Sequence, residues 1–426
     1  MTSNIKKVVL NISKMHHLNH STKWQSEADS IPDQRWDVVI AGAGPAGAMA
    51  AAHLASRHHR VLLLDRKKFP REKVCGDGLL SDALRCLETI GARDEVRAAG
   101  HPVDTSVIVS PSLNEVEIPG EYLTIKRQFL DLIIAQQAVE AGTVFAMGEV
   151  QQVAIKPDSL ASFTISGCRR PIRSKIGIIA TGTDVRLMHK MNWPAKKGPS
   201  AVAVRCYVRS SLALDRMIIS FHRHDPFTVS GYGWIFPMRN HEFNVGFGIF
   251  SLDRVLRRSI NLKDKFNAFI ESFSPAKELM QQSDTTTPLQ AAALRYDFEG
   301  AYPFVKGPIV AVGETIGTTL PFIGEGIGKA MESGQMAADA VNKALKSGDL
   351  SKLLQYGQQI ESEFRACYKG YRLAERWLAR PRINDFLIRR FGSSRYAQEI
   401  LAGVIAETRS PQDIFSLKGV LKTFFK

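Results

Sequence analysis

The chain has 426 residues, of which 44% are hydrophobic and 23% charged, and a formal net charge of +14. That length exceeds one comfortable core, so two interleaved domains of a soluble globular protein are expected, and no apolar run approaches the roughly twenty residues of a membrane-spanning helix. The five cysteines are scattered with no C-x-x-C pair, which argues against a disulfide frame or zinc site and for a reducing, cytoplasmic compartment. The positive charge points to an anionic partner, a membrane surface or phosphorylated substrate, and less to nucleic acid, because no nucleic-acid-binding motif accompanies it.

Residues 1–35 are polar and basic, with His16, His17 and His20 and no apolar core. They read as a disordered arm rather than a signal peptide or a histidine metal site. Organisation begins at Trp36. Val38 to Ala41 form an apolar run of the length of a buried parallel strand. Glycines follow at Gly42, Gly44 and Gly47 in G-x-G-x-x-G spacing, with Pro45, Ala46 and further small residues through Ala52. A second apolar run, Val61 to Leu64, ends in Asp65 and Arg66. This is the pattern of a strand, a tight turn and a helix whose N-terminal amides face a pyrophosphate, with Asp65 placed to accept from the adenosine ribose hydroxyls.

After Phe69-Pro70 comes the loop Lys73-Val74-Cys75-Gly76-Asp77-Gly78, then an amphipathic helix carrying Leu80, Leu84, Leu87 and Ile90. Two glycines flanking Asp77 mean that the backbone approaches something closely. Lys73 and the helix N-terminus favour thiolate at Cys75, making it the most reactive of the five thiols. Cys86, Cys168, Cys206 and Cys367 read as packing residues. Short strands are expected at Val107 to Val109 and Glu115 to Ile118. A helix is expected from Gln128 to Ala141, and Arg127 at its start either pairs with a phosphate or is a solvated arginine. Strand structure resumes at Val144 to Val150 and Val153 to Ile155, and Ile176 to Ala180 runs into Thr181-Gly182, a strand end suited to packing over the adenine half of a nucleotide. From Val202 to Phe250 the pattern is β-rich and aromatic, with Tyr232, Trp234, Phe236, Phe243 and Phe247. Most of these are explained by a half-buried sheet, and an apolar wall facing a hydrophobic substrate is the functional alternative.

Helices are expected at Leu262 to Phe273 and Ala337 to Leu345. Between them lies a second glycine-rich stretch, with Gly313-Glu314, Pro321 and Gly324-Glu325-Gly326-Ile327 at the start of a small-residue helix. Two distant segments that cradle phosphate and ring point to one long cofactor, FAD. The tail from Leu353 to Lys426 is helical in pattern and basic, and suits either a membrane interface or a cap on the fold.

Taken together these motifs resemble the geranylgeranyl reductase family of FAD-dependent oxidoreductases, in the p-hydroxybenzoate hydroxylase fold group. The resemblance spans about residues 36 to 420. It is carried by Val38 to Gly47, Phe69-Pro70-Arg71 with the Cys75 loop, Arg127 with Phe129-Leu130-Asp131, Ala180-Thr181-Gly182, Tyr232-x-Trp234-x-Phe236-Pro237, and Gly313 onward. It implies an α/β fold: a Rossmann-type FAD-binding domain (36–100, 125–190 and 300–347) interleaved with a β-sheet substrate domain (101–124 and 191–299), then a C-terminal helical segment (348–426). Cofactor contacts are expected from Gly42, Gly44, Pro45, Ala46, Gly47, Asp65, Arg66, Lys73, Gly76, Asp77, Gly78, Arg127, Val150, Thr181, Gly182, Gly313, Glu314, Pro321, Gly324, Gly326 and Ile327. Cys75 is the implied catalytic residue, Tyr232, Trp234 and Phe236 the prenyl pocket, and no metal is implied. Two positions depart from the family pattern: Glu314 stands where Asp is usual, and Val229 where a proline is usual.

The expected activity is reduction of carbon–carbon double bonds of a prenyl or similarly lipophilic substrate, with NAD(P)H or another reductant as donor and peripheral membrane contact through the basic tail. The alternative is an FAD-dependent monooxygenase acting on an aromatic or natural product, since one fold hosts both. A halogenase is less expected, because the W-x-W-x-I-P segment of that family is absent.

Overall fold

The computed structural model describes residues 23–158, 160–196, 198–222, 231–250, 261–321 and 323–425. The expected proline position Val229, and His16, His17 and His20, lie outside the described residues.

Two sheets share the chain. The first is mainly parallel and runs in the order Ser26–Glu27, Val144–Met147, Val61–Asp65, Trp36–Ala41, Ile172–Ile179, Ile309–Ala311, with Val305–Lys306 antiparallel at the edge. Val38 pairs with Val61 and Ile176, so the run read as a buried strand lies at the centre and is buried along its whole length. Burying each such aliphatic side chain contributes about 1.5–3 kcal/mol. The hairpin Val150–Ile155 and Ala161–Ile165 adds antiparallel to Ile172–Ile179. Helices Pro45–Ala55 and Ile327–Ser347 cover one face, close enough that a Cβ on Gly334 would stand 2.3 Å from the Ala46 carbonyl oxygen. The small residues of both helices permit that approach.

The second sheet runs Ser283–Thr286, Ala201–Ser210, Glu242–Ile249, Gly231–Met238, Met217–Ser220, His101–Val109, Glu115–Thr124, Gly78–Leu79, with Gln290–Leu294 also on Ala201–Ser210. Its strands His101–Val109 and Glu115–Thr124 are longer than the short segments expected from sequence. Strand alternation sorts the aromatics onto two faces. Phe243 and Phe247 join Ile235 in a core with Phe266, Phe269 and Phe273 of the covering helices, whereas Tyr232, Trp234 and Phe236 face the other way, toward the first domain.

The N-terminal arm is corrected in part. Trp24 packs edge-on to Phe145 at 4.9 Å between centroids, and Gln25 exchanges hydrogen bonds with both the N–H and the carbonyl of Phe69. Ser26–Glu27 then extends the first sheet beside Ala146 and Met147. One tryptophan and one amide dock the segment, a signal too sparse for composition to reveal. The tail is helical as expected, in Leu354–Leu378, Pro381–Gly392, Arg395–Ile405 and Leu417–Phe425.

Candidate functional site

Between the two sheets lies a cavity of about 820 Å³. It is lined by Gly42, Gly44, Pro45, Ala46, Asp65, Arg66 and Val150. Lys73 to Gly78, Arg127, Thr181, Gly182 and Glu314 also line it, as do Tyr232, Trp234, Phe236, Gly324, Gly326 and Ile327. Three residues expected at the cofactor do not line it: Gly47, Gly313 and Pro321. Gly47 and Gly313 instead serve packing. A Cβ on Gly47 would stand 1.9 Å from the Gly42 carbonyl oxygen, and one on Gly313, where φ is +65°, would stand 2.7 Å from the Ala46 Cβ.

The glycine turn keeps its anion-binding face free. Gly44 is the N-cap of Pro45–Ala55, no side chain caps that helix, and a Cβ at 44 would meet only the Arg71 guanidinium, at 3.8 Å. Asp65 accepts from the Ala43 and Lys67 N–H groups at 3.1 and 3.0 Å, which fixes the turn to the end of the neighbouring strand. Arg71 reaches Asp65 at 3.3 Å and Asp131 at 2.9 Å, while its Nε is buried with no hydrogen-bond partner. An uncapped helix start facing a guanidinium with an unused donor fits a pyrophosphate. Arg71 is a site residue that sequence reasoning quoted in a motif and left without a role.

Arg127 differs from its expectation. Its guanidinium is buried and spans both oxygens of Asp131, four residues on, at 2.8 and 2.9 Å. Burial alone would raise the Asp131 carboxyl, but the charges of Arg127 and Arg71 outweigh it and hold the pKa below its ordinary value. The pairing offsets the charge at an unfavourable helix end locally, without needing a phosphate.

The Cys75 loop is fastened to the second sheet. The Asn244 amide donates to the Cys75 carbonyl and to Asp77 Oδ2, both at 2.9 Å, and accepts from the Trp234 indole at 2.9 Å. The Tyr207 hydroxyl donates to Asp77 at 2.6 Å. Asp77 is fully buried at φ +64°, and burial lifts its carboxyl to about 6 against the opposing hydrogen bonds of Tyr207 and Asn244. Gly76 presses against this protein's own rings: a Cβ there would lie 3.4 Å from Phe236 and 3.8 Å from the Trp234 nitrogen. Asn244 and Tyr207 were not anticipated. An asparagine inside the apolar run Phe243 to Phe247 was the available signal.

The thiolate expectation for Cys75 is overturned. Lys73 points to Glu314, at 3.9 Å, and the next helix starts only at Ser81. Cys75 opens onto the cavity, yet burial pushes its thiol up, with the Arg127 charge opposing and Asp77 adding to the rise. The group at rest is a protonated thiol beside a guanidinium. Glu314, the longer acid, accepts from the Arg295 N–H at 3.2 Å and faces Gly182.

A family model described as an FAD binding domain matches residues 35–156. A menaquinone reductase of Mycobacterium tuberculosis is 31% identical over 342 residues, covering 75% of this chain and 79% of that protein. A digeranylgeranylglycerophospholipid reductase of Methanocaldococcus jannaschii is 25% identical over 335 residues, covering 74% and 79%. Among solved structures, a geranylgeranyl bacteriochlorophyll reductase-like protein of Thermoplasma acidophilum superimposes with a TM-score of 0.71 at 19% identity, over 92% of this chain and 96% of that one. A flavin-dependent brominase reaches 0.74 at 20% identity, over 92% and 99%, a likeness of fold alone. With its central strands, free glycine turn and relatives of this length, the chain belongs to the geranylgeranyl reductase family of FAD-dependent oxidoreductases.

Proposed function

We propose that this enzyme reduces carbon–carbon double bonds of a prenyl or similarly lipophilic substrate, with NAD(P)H or another reductant as electron donor. The observation that carries the reading is one cavity whose lining includes the free glycine turn, the aromatic side chains of the second sheet and the Cys75 thiol, whose pKa burial raises. Bound FAD would supply hydride. Gly42 to Ala46, Arg71 and Asp65 would hold its pyrophosphate and ribose, and the Gly324 to Ile327 turn would approach its ring system.

An isolated alkene accepts hydride poorly, so a positioned acid must act with the transfer. Cys75 is that acid. Its raised pKa keeps the proton at neutral pH, and Arg127 steadies the thiolate left behind. Asn244 locks the loop so that the sulfur keeps its place. Tyr232, Trp234 and Phe236 exclude water and bound the prenyl chain, and the C-terminal segment adds Leu378, Leu401, Val404 and Phe415 to the apolar lining.

The substrate would be met at a membrane surface on the cytoplasmic side. Leu417, Leu421 and Phe425 of the last helix are 78%, 57% and 85% exposed beside Lys418 and Lys422. Gly419 packs against the Asp413 carbonyl and Phe424 stacks on Phe386, so the helix is held at its base with that face outward. Among the described residues no helix is long and apolar enough to cross a membrane. The test is anaerobic reduction of the flavin followed by mixing with a prenyl quinone or prenyl lipid. Rapid lipid-dependent reoxidation with a saturated product supports the reading. Inertness to lipid, with oxygenation of an added substrate in air, would favour the monooxygenase.

A further inference from the structure

The second sheet carries a buried cation that the Cys75 chemistry does not use. Along Ala201–Ser210, Val204, Cys206 and Val208 join the core with Phe266 and Phe269. By alternation Ala203, Arg205 and Tyr207 face the other way, and Ala203 and Arg205 line the cavity. Arg205 stands in a cross-strand row with Gly246 and Trp234 on one side and Gln290 on the other. A Cβ on Gly246 would lie 2.1 Å from Cζ2 of Trp234, so the indole covers the position next to Arg205 in that row.

Five arginines line the cavity. Arg66, Arg71, Arg127 and Arg186 each pair with a carboxylate. Arg205 is 3% exposed, makes no hydrogen bond or ion pair among the described residues, and has its Nε buried without a partner. Its guanidinium stacks on the Tyr207 ring, with 4.0 Å from Cζ to the centroid, a contact that favours a cation but uses none of its donors. Asp77 feels the charge of Arg205, but the Asp77 oxygens are taken by Tyr207, Asn244 and the Arg127 N–H. A second orphan lies directly across the strand pair. Gln290 donates through Nε2 to Glu72 at 3.1 Å, while its Oε1 is buried with no partner.

We propose that Arg205 anchors an oxyanion subsite of the cavity, which takes a phosphate monoester carried by a molecule that reacts with the flavin. The planar edge of a guanidinium matches two phosphate oxygens, and the charge of the ester supplies the counter-ion that the fold leaves out. The two orphans select the class of ligand. A phosphate monoester, with its second ionisation at about pH 6, can accept from Arg205 and still donate an O–H to Gln290. A carboxylate or a carbonyl only accepts, and a carbonyl leaves the guanidinium charge unbalanced. Two molecules of the proposed reaction could carry the group: the prenyl lipid in its head, or a nicotinamide dinucleotide donor on its ribose. The identity of the occupant rests on the alkene-reductase reading, whereas the subsite rests on the sheet.

The test uses the FAD-loaded enzyme and ligands paired with twins that lack the phosphate: farnesyl phosphate with farnesol, and NADPH with NADH. In calorimetric titration, wild type should bind at least one phosphorylated member about thirtyfold or more tightly than its twin, the lower range for one partner of a buried charge pair. Arg205→Met should lose that preference, and Arg205→Lys, which keeps the charge without the fork, should retain part of it. A preference for farnesyl phosphate assigns the subsite to the lipid, and one for NADPH assigns it to the donor. No preference in wild type, or an equal preference in Arg205→Met, overturns the subsite.

The ligand-free variant gives an independent readout. Removing an uncompensated buried charge is neutral or stabilising, so Arg205→Met should unfold at or above the wild-type temperature and carry as much FAD. A strongly destabilised or FAD-depleted Arg205→Met would make the guanidinium a structural or flavin-holding group and overturn the proposal. The titrations need no turnover. If lipid fails to reoxidise the reduced wild-type enzyme, the alkene-reductase reading fails, and the paired affinities still decide the subsite.

Discussion

Gly44→Val separates cofactor binding from folding more cleanly than any other change in the glycine turn. Gly42 has φ +106° and its Cβ would stand 2.3 Å from the Ala180 carbonyl oxygen, and a Cβ on Gly47 would overlap the Gly42 carbonyl. Substitution at either should damage the fold itself. Gly44 has φ −76°, extended ψ, and open space up to the Arg71 guanidinium at 3.8 Å. The apo-protein should therefore lose no more than about 1 kcal/mol, the cost of replacing a good N-cap residue by a poor one. The valine methyls project into the space where a pyrophosphate must touch the backbone. Wild-type protein in FAD at a hundredfold its Kd should gain about 2.7 kcal/mol of stability, and the variant none of it. The assay is denaturant unfolding of both apo-proteins with and without added FAD, alongside the bound-flavin absorbance of the purified proteins. A Gly44→Val protein that is yellow and gains the same stabilisation from FAD would refute the assignment of this turn.

Cys75→Ser should leave FAD binding and flavin reduction by the donor intact and slow lipid-dependent reoxidation by about 10²-fold or more, and Cys75→Ala should be at least as slow; stopped-flow measurement of the two half-reactions decides, and wild-type rates in the alanine variant would leave Cys75 a packing residue. Asp77 has a folded pKa of about 6 against 3.8 ordinarily, so its contribution to stability is fully present only well below 3.8 and is lost as pH rises through 6. The unfolding free energy of wild type relative to Asp77→Asn should fall by about 2.4 kcal/mol between pH 4 and pH 7, because each pH unit separating the folded and unfolded titrations is worth about 1.36 kcal/mol and part of the unfolded group is already ionised at pH 4; a flat difference would mean that Asp77 titrates normally. Anionic liposomes should co-float with the protein in low salt and less so in high salt, and deletion of Leu417 to Lys426 should weaken flotation. Unchanged flotation would mean that the last helix only caps the fold.

The cofactor half was legible because its physics is local. A buried strand, a turn needing glycine and a helix of small residues are neighbours in sequence, so period and composition point to the Gly42 turn and Asp65 without tertiary knowledge. Glu314 as a departure and the Tyr232 segment as a pocket are singled out by the family resemblance. Local pattern could not separate ligand-facing from packing glycines: Gly44 opens on the cavity, while Gly47 and Gly313 meet backbone or side chain, which depends on what crosses above them. Nor could it sort the aromatics fully. Alternation places Tyr232, Trp234 and Phe236 on one face, but only the packing of Phe266 and Phe269 against the other decides which face holds the cavity.

Charge states were set entirely by tertiary structure. From sequence, Lys73 beside Cys75 suggested thiolate, and Arg127 at a helix start suggested a bound phosphate. The fold turns Lys73 toward Glu314, pairs Arg127 with Asp131, and buries the thiol, reversing the expected direction of its pKa. Lys329 and Glu407 are 78 residues apart in sequence and pair only because the C-terminal segment folds back over the first domain. Sequence determines the elements whose interactions run along the chain. Electrostatics at a site depends on desolvation and on partners brought from elsewhere, and these exist only once the chain has closed on itself.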